Sequence, residues 1–231
     1  SGKSHNYTTK DKKYFLNILS NADTFTQGPE LVKFENSLRN YLGSKNIYCT
    51  SSAAASLEII SDLINIKKGD EIIIPAHTYC ATAIPFARKG AKIVWADINF
   101  LTRTIDIDDV KKKITKKTRA IVVVDLYGYA MNIMPFKKLK KDIKIIHDCA
   151  QSLGANILNR RSGMLADFAC YSFHSQKNIT TLGEGGAIYV KNNKLANAVK
   201  GLRHNGHRPY SISRKKYWKP AMVNTDSDIQ N

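Results

Sequence analysis

The sequence predicts an α/β domain with a mostly parallel sheet and helices on both of its faces. From about residue 28 onward, short apolar runs with strand character alternate with amphipathic helix patterns. The strand-like runs are largely apolar along their length, which is typical of strands that are covered on both faces. The chain has 231 residues, enough for one large domain or for one large domain with part of a second.

The predicted elements follow one another in a regular order. The first helix opens at Gly28-Pro29 and ends at Gly43, and a short strand follows at Ile47–Thr50. A second helix has apolar residues on one face, namely Ala53, Leu57, Ile60 and Ile64. Further strands are expected at Glu71–Ile74, Lys92–Trp95, Ala120–Asp125, Lys144–His147, Ala169–Phe173 and Gly186–Val190. A last helix runs from about Lys194 to His204.

The charge balance is strongly basic. The chain has 36 Lys and Arg residues against 19 Asp and Glu residues, a formal net charge of +17. Dense basic runs occur at Lys111–Lys117, Lys137–Lys141 and Arg214–Lys219. The first two lie in short helical patterns whose apolar residues face inward, so we expect their lysines to face solvent. Aromatic residues are not interleaved with them as a nucleic-acid surface requires. We therefore interpret the charge as a solvated surface that also steers a phosphorylated substrate.

The cysteines and the apolar runs indicate a cytoplasmic protein. Cys49, Cys80, Cys149 and Cys170 are far apart and form no CxxC pair. This spacing argues against a zinc site or a disulfide framework and fits a reducing compartment. The longest apolar runs are far too short to cross a bilayer, and no signal segment is visible. We expect a cytoplasmic globular protein without a metal site, a membrane partner or a nucleic-acid partner.

A run of six small residues, Ser51–Ser56, connects a predicted strand to a predicted helix. Small side chains let a ligand approach the backbone, and the first helical N–H groups point outward with the helix dipole behind them. The run therefore favours a phosphate site. The alternative is close packing at a helix start, which such a run on its own more often indicates.

An acidic residue, Asp148, stands at the C-terminal end of an apolar strand in the segment Ile145–Gln151. Ligands of open α/β sheets bind at that edge. A carboxylate there can pair with a protonated pyridine nitrogen and keep the ring an effective electron acceptor. The alternative is a helix cap, which an isolated aspartate in this position provides more often.

The most specific segment is Ser172–Lys177, followed by the turn Gly183-Glu184-Gly185-Gly186. A lysine between a strand and a loop, flanked by hydroxyl groups and a glycine-rich turn, suits covalent attachment of a carbonyl cofactor. A single lysine in so basic a chain is by default a solvated surface residue. The order of all three segments on the appropriate elements favours the functional interpretation of Lys177.

Together these segments resemble the DegT/DnrJ/StrS family of nucleotide-sugar aminotransferases, from about Phe25 to the end of the chain. The resemblance is carried by Thr26-Gln27-Gly28-Pro29 with Phe34-Glu35, Gly69–Pro75, His147–Gln151, Ser172-Phe173-His174 with Lys177, and the glycine-rich turn. It implies the large domain of a fold-type I aminotransferase that uses pyridoxal 5′-phosphate.

The resemblance also implies roles for individual residues. Lys177 would form the Schiff base with the cofactor and later carry the proton between substrate and cofactor. Asp148 would pair with the pyridine nitrogen, Gln151 would hydrogen-bond near the ring hydroxyl, and Tyr79 would stack on the ring. A half-buried loop aromatic is the alternative for Tyr79.

For the cofactor phosphate, the resemblance implies backbone N–H groups of Ala54 and Ala55 and the hydroxyl of Ser172. Asn224 resembles a family asparagine that reaches the phosphate from the neighbouring subunit. A homodimer with a shared active site is therefore implied.

Several features depart from the family pattern. Ala54 stands where the family usually has threonine, which removes one hydroxyl contact, and Asp125 stands where a histidine is common. Leu182 is one extra residue before the glycine turn. We divide the chain into an N-terminal segment (1–24), a pyridoxal-phosphate-binding large domain (25–206) and an irregular tail (207–231). The tail would lead to a C-terminal small domain, which family members have and which we expect to be absent here.

The functional expectation is a two-stage transamination. An amino donor, expected to be glutamate, passes its amino group to the cofactor, and a keto sugar carried on a nucleotide then takes it. One alternative is a non-catalytic or split-enzyme fragment that needs a partner chain. Another is a cofactor-dependent sugar dehydratase, but those relatives have histidine at the Schiff-base position, so Lys177 argues against it. A basic nucleic-acid binder is the third alternative.

Overall fold

The computed structural model describes residues 6–204, and this part of the chain has the predicted α/β architecture. Its α-helices are α1 (Thr9–Asn21), α2 (Pro29–Leu42), α3 (Ala53–Leu63), α4 (Ile84–Arg88), α5 (Ile107–Lys113), α6 (Met134–Lys137) and α7 (Asn193–Leu202). Its strands are β1 (Ile47–Thr50), β2 (Glu71–Pro75), β3 (Lys92–Ala96), β4 (Thr118–Val124), β5 (Lys144–Asp148), β6 (Asn156–Ile157), β7 (Arg160–Arg161), β8 (Phe168–Ser172) and β9 (Gly186–Val190).

The main sheet of the described residues has seven strands in the order β1-β9-β8-β5-β4-β2-β3. Neighbouring strands from β3 to β8 are all parallel, whereas β9 is antiparallel to both β8 and β1. Because β9 is antiparallel to both of its neighbours, β1 runs in the same direction as β8. The C-terminal ends of β1, β2, β3, β4, β5 and β8 therefore meet at one edge of the sheet, and β9 begins there.

Helices cover both faces of the sheet, as the apolar strands predict. On one face, Ile72 and Ile74 of β2 belong to a core that includes residues of α3, α4 and α7. On the other face, Ile73 packs in a core with residues of α5 and α6. Residues of α2 pack against β1, β8 and β9 on that second face. Alternate residues of one strand thus fill two different cores.

The predicted strands and the three longer predicted helices are confirmed, with small shifts at their ends. Strand β4 begins earlier than expected because Thr118 pairs with Glu71 of β2, and it ends before Asp125. The short helical patterns in the first two lysine runs correspond to α5 and α6, which bury Val110 and Phe136. In the part of the chain that the structure describes, no helix is both long and apolar enough to span a bilayer.

Helix α1 was not predicted, since residues 1–24 were expected only to precede the domain. A reciprocal capping box starts it: the hydroxyl of Thr8 accepts a hydrogen bond from the backbone N–H of Asp11, and Asp11 accepts one from the N–H of Thr8. Within residues 6–204 the helix buries none of its residues. Its start is therefore set by a local hydrogen-bond exchange and not by an apolar pattern.

Glu35 joins three elements on one side of the sheet. Its side chain is only about 6% exposed. Oε1 accepts a hydrogen bond of 2.9 Å from the backbone N–H of Cys49 in β1 and pairs with Arg203 after α7. Oε2 accepts one of 2.8 Å from Arg39 in α2. A buried carboxylate between two guanidinium groups is well satisfied only while all three partners are present.

We predict that Glu35→Gln lowers the free energy of unfolding by about 3 kcal/mol, the scale for removing one member of a buried ion pair. The cause is the loss of the countercharge for Arg39 and Arg203. Glu30→Gln is the matched control, because Glu30 lies on the same helix in an exposed pair with Lys33 and should change stability little. Chemical denaturation of both variants measures the difference. Equal stabilities for the two variants would contradict the structural role of Glu35.

Candidate active site

The strand register brings the predicted site segments to one edge of the sheet. Gly186, the first residue of β9, lies between Thr50 of β1 and Ser172 of β8. In the next strand, Asp148 is paired with Cys170. The loops that follow β1, β5 and β8 carry the small-residue run, Gln151 and Lys177, so their shared position follows from strand direction.

The small-residue run forms the start of α3. Ser52 is the N-cap residue, and its hydroxyl accepts a hydrogen bond of 3.0 Å from the backbone N–H of Ala55. Ala54 lies beside it in the first helical turn and is half-buried. The N–H of Ala55, predicted as a phosphate donor, is thus bonded to Ser52 in this structure. The first turn still directs its amide groups and the positive end of the helix dipole toward the edge.

Gly186 brings β9 against the start of α3. A Cβ atom on Gly186 would lie 2.6 Å from the backbone N of Ala53, a distance that real Cβ atoms do not adopt. Only glycine therefore lets the strand approach the first amides of the helix. The last glycine of the turn noted in the sequence has this steric role, and on its other side it pairs with Ser172 of β8.

Asp148 is held by two hydrogen bonds at the end of β5. It is 6% exposed, its Oδ2 accepts a hydrogen bond of 2.8 Å from the hydroxyl of Thr82, and its Oδ1 accepts one of 3.0 Å from the N–H of Ala150. Residues 150–154 form turns and not a helix, so Asp148 is not the helix cap that was the alternative. The carboxylate is fixed in one orientation at the edge.

Thr82 was not identified from the sequence. It lies in a single 3₁₀ turn after β2, 66 residues from Asp148 along the chain, and is 1% exposed. A threonine in a short polar loop has no pattern that would reveal such a partner. Its role depends on the packing of the β2 loop over the end of β5.

Gln151 is oriented by the loop that follows β4. Its Oε1 accepts a hydrogen bond of 2.8 Å from the backbone N–H of Tyr127, so the NH₂ end of the amide is turned away from Tyr127. Tyr127 has a left-handed backbone conformation, with φ of 57° and ψ of 19°. Such strain in a residue other than glycine is most common at functional sites. The conformation points the Tyr127 N–H at Gln151.

Two exposed tyrosines stand at this edge. Tyr79 follows β2 and is 71% exposed, and Tyr127 follows β4 and is 75% exposed. The hydroxyl of Tyr127 lies 3.5 Å from Nε2 of His77, with the two rings 6.0 Å apart at 62°. Tyr79 is thus a solvent-facing aromatic and not the half-buried loop residue that was its alternative. His77 and Tyr127 were not identified from the sequence.

Lys177 is half-buried in the loop between β8 and β9. Its backbone N–H donates a hydrogen bond of 2.9 Å to the carbonyl of His174. The N–H of His174 in turn lies 3.4 Å from the hydroxyl of Ser172. The lysine therefore belongs to a hydrogen-bonded turn that begins at the end of β8.

The rest of this loop folds back on itself. The N–H of Phe173 donates to the carbonyl of Gly185 at 2.8 Å, and that of Ser175 to Gly183 at 2.9 Å. The hydroxyl of Thr181 donates to the carbonyl of Glu184 at 2.7 Å. Leu182, the extra residue, adopts a left-handed φ of 76°. These hydrogen bonds join the two ends of the loop that contains Lys177.

A buried ion pair lies on the opposite face of the sheet, behind Asp148. Nε2 of His147 is 2.7 Å from Oδ1 of Asp125, and the side chains are 1% and 0% exposed. Burial by itself raises the pKa of Asp125, but the hydrogen bond and the charge of His147 bring it below its ordinary value. Burial lowers the pKa of His147, whereas its contacts with Cys149 and Asp125 raise it well above its ordinary value. The two directions favour a carboxylate at Asp125 and a proton on His147, which agrees with the 2.7 Å contact between them.

This pair is better described as an ion pair than as part of a metal site. The ligand atoms of Asp125, His147 and Cys149 lie within 4.8 Å of one another. Two ligands at about 2.0 to 2.1 Å from a tetrahedral zinc ion would be roughly 3.3 Å apart. The 2.7 Å between His147 and Asp125 is instead the length of a charge-assisted hydrogen bond.

A cavity of about 420 Å³ lies beside the first turns of α3. Its lining includes Ser51, Ala55, Glu58, Leu202 and Arg203. Among the predicted site residues in residues 6–204, Ala55 lines it. The other predicted site residues that the structure describes do not line this cavity. The predicted Asn224 and the tail 207–231 lie outside the described residues.

Comparison with known proteins gives a consistent result. Residues 6–227 match the model of the DegT/DnrJ/EryC1/StrS aminotransferase family. The chain is 37% identical over 188 residues to a UDP-2-acetamido-2-deoxy-3-oxo-D-glucuronate aminotransferase of Pseudomonas aeruginosa, covering 79% of this chain and 52% of the relative. The chain thus spans about half the length of the curated relatives that it matches.

Solved structures share the fold. One is the Helicobacter pylori aminotransferase involved in the biosynthesis of pseudoaminic acid, with a TM-score of 0.84 and 29% identity over 92% of this chain and 57% of that one. Another is the E. coli GDP-4-keto-6-deoxy-D-mannose-3-dehydratase with bound hydrated PLP, with a TM-score of 0.82 and 29% identity over 88% and 54%. Since the family match extends over nearly the whole chain and the fold agrees with it, the chain belongs to the DegT/DnrJ/EryC1/StrS aminotransferase family.

Proposed function

We propose that this chain binds pyridoxal 5′-phosphate covalently through Lys177 and forms the cofactor-binding part of a sugar aminotransferase. The observation that carries the proposal is the meeting of Lys177, Asp148, Ser172 and the start of α3 at one edge of the sheet. These groups offer an amine, a carboxylate, a hydroxyl and helix amides. They match the aldehyde, the pyridine nitrogen and the phosphate of that cofactor.

The phosphate would lie at the start of α3. The first-turn amides, the helix dipole and the hydroxyl of Ser172 all favour an anion there. The close approach that Gly186 permits keeps these donors together. Because Ser52 caps the N–H of Ala55 at 3.0 Å, a phosphate that bonds to Ala55 would compete with that cap. The N–H of Ala54 is the other amide donor that we assign.

Asp148 would hold a proton on the ring nitrogen. The hydroxyl of Thr82 and the N–H of Ala150 fix the carboxylate, so it is oriented before the ring arrives. When bound, the cofactor supplies the electron acceptor that the chemistry needs. Gln151 would donate its amide to the ring hydroxyl, since its Oε1 is turned to Tyr127. Tyr79 would pack on the ring face.

Lys177 would have two duties. Its amine would hold the cofactor, and after an incoming amino group has displaced it, the freed amine would accept a proton from the substrate carbon and give it back. The hydrogen-bonded loop from Phe173 to Gly185 limits the positions of its backbone. A positioned base needs this restriction, because proton transfer requires hydrogen-bond distance.

For the substrate, we infer a nucleotide-linked keto sugar, with glutamate as the amino donor. Curated relatives include a UDP-sugar aminotransferase, GDP-perosamine synthases and a dTDP-sugar transaminase. A net charge of +17 would help to attract a nucleotide diphosphate. We also infer that the protein is cytoplasmic, that residues 25–206 form the cofactor domain, and that it acts as a homodimer in which Asn224 reaches the partner's phosphate site.

Two other functions are separable by experiment. The first alternative is a sugar dehydratase, because solved sugar dehydratases share this fold. Lys177 argues against it, since it supplies the amine that transamination needs. Incubation with glutamate and a panel of nucleotide keto sugars separates the two: an amino sugar supports the aminotransferase, and a dehydrated sugar the alternative. The second alternative is a split enzyme that needs a partner chain. Turnover by the purified chain alone would exclude that alternative.

We predict that pyridoxal phosphate gives the wild-type chain a visible absorption band that Lys177→Arg lacks. Arginine keeps the positive charge but cannot form the covalent bond. Lys194→Arg is the matched control, because Lys194 is an exposed lysine at the start of α7 and should leave the band intact. A band of equal intensity in Lys177→Arg would exclude Lys177 as the attachment site.

We predict that Asp148→Asn slows amino transfer from glutamate to the cofactor by about 100-fold or more, the scale for losing one fixed charge at a reacting centre. Thr82→Val should slow it about tenfold, because one hydrogen bond to Asp148 is lost. Asp142→Asn, at an exposed position before β5, is the control. Single-turnover absorption measures the rate. An unchanged rate in Asp148→Asn would disprove the assigned role.

A further inference from the structure

Two consecutive residues of β5 serve opposite faces of the sheet. Asp148 projects toward the face of α3 and α4, where it accepts the hydrogen bond from Thr82. His147 projects to the other face, where it pairs with Asp125 at 2.7 Å. Consecutive side chains of a strand point to opposite faces. His147 and Asp148 are joined by one peptide bond, so a shift of His147 along the strand also shifts Asp148. The ion pair is therefore attached to the proposed cofactor site through one peptide unit.

Asp125 holds the end of β5 in a second way. Its backbone N–H donates a hydrogen bond of 3.0 Å to the carbonyl of Asp148 itself. Its Oδ1 also accepts one of 3.0 Å from the N–H of Met131, and its Oδ2 accepts one from the hydroxyl of Ser162. Asp125 thus connects the ends of β4 and β5 with the loop after β4 and the segment before β8.

The loop that Asp125 closes is the one that orients Gln151. Residues 125–131 are held at both ends by Asp125, through its own backbone and through the bond from Met131. Within that loop, the N–H of Tyr127 bonds to Oε1 of Gln151 at 2.8 Å. Two residues that the proposed function places on the cofactor ring, Asp148 and Gln151, therefore depend on Asp125.

Within residues 6–204, the side chains of Cys149, Ser162 and Tyr171 lie around the pair, and all three are polar. Cys149 lies beside His147, its Sγ is 3.5 Å from the hydroxyl of Ser162, and burial raises the pKa of its thiol. Tyr171 donates a hydrogen bond of 2.6 Å to the carbonyl of Ser162, and burial raises the pKa of its phenol well above the ordinary range. Both groups stay neutral near pH 7, so Asp125 is the countercharge of His147.

We propose that Asp125 and His147 are positioning residues for the cofactor, which hold Asp148 and Gln151 from the opposite face of the sheet. The inference rests on the proposed function. A pair needed only for stability could be replaced by apolar side chains of similar volume, often without loss. Here the hydrogen bonds of Asp125 run to the two segments that carry ring-binding residues, and that placement points to orientation of the site.

The experiment compares Asp125→Asn, His147→Gln and the reciprocal exchange, Asp125→His with His147→Asp, with the wild-type chain. Each is titrated with pyridoxal phosphate, and the pH midpoint of the visible band and the unfolding midpoint are measured. We expect each single variant to bind the cofactor about tenfold to a hundredfold more weakly, the scale for losing a charged hydrogen bond. We also expect a shifted pH midpoint. Both properties should recover in part in the reciprocal exchange, which restores the ion pair but removes the carboxylate that accepts the bonds of Met131 and Ser162.

Glu71→Gln is the matched control. Glu71 is also a buried carboxylate, but it lies at the opposite end of β2, where it accepts a hydrogen bond from the hydroxyl of Thr115. The Glu71→Gln substitution should lower the unfolding midpoint without changing the affinity for pyridoxal phosphate or the pH midpoint of the visible band. If the single variants are destabilised yet keep wild-type affinity and pH midpoint, the pair is only structural and the inference is wrong.

The remaining outcomes are also decisive. If Asp125→Asn does not fold, His147→Gln and the reciprocal exchange give the same comparison. Failure of the exchange to recover affinity in a folded protein would contradict the pairing. A wild-type chain that forms no band at all would overturn the proposed function and this inference with it. A wild-type band with unaffected variants overturns this inference alone.

Discussion

The direction of the strands is the constraint on which the rest of the structure depends. Six strands end at one edge of the sheet, and β9 begins there beside the first amides of α3. Groups far apart in the chain can meet at that edge without crossing the apolar layers on either face. Backbone donors, a carboxylate and an amine are collected where the sheet no longer needs its polar groups for strand pairing. The site is thus a consequence of topology before it is one of side-chain chemistry.

Two buried carboxylates stabilise different parts of this arrangement. Glu35 joins α2, β1 and the segment after α7 between two arginines, at the β1 edge of the sheet. Asp125 joins the ends of β4 and β5 through His147 and the backbone of Asp148. Each has its charge balanced and its oxygens hydrogen-bonded, which a buried carboxylate requires. The first holds β1, the strand before the start of α3, and the second holds the end of β5, which carries Asp148.

The sequence was sufficient to predict where the strands and the longer helices lie along the chain. Short apolar runs such as Ala120–Val124 are typical of buried strands. It also predicted Asp148 at the C-terminal end of its strand and Lys177 in the loop that follows a strand. It did not reveal Thr82 or the Asp125–His147 pair, since their partners are 66 and 22 residues away and each residue alone has an ordinary interpretation. Helix α1 was missed because its start depends on one capping box and its packing is slight. Asn224 and the homodimer remain predictions.

If the cofactor is attached at this sheet edge, Lys177 is modified in preference to the other lysines of the chain, and peptide mapping measures this preference. Reduction with borohydride makes the bond between a lysine and pyridoxal phosphate permanent, and tandem mass spectrometry then locates the modified residue. We predict one modified site, Lys177, at cofactor concentrations equal to that of the protein. Modification spread over the exposed lysines, or concentrated on a different one, would contradict the account.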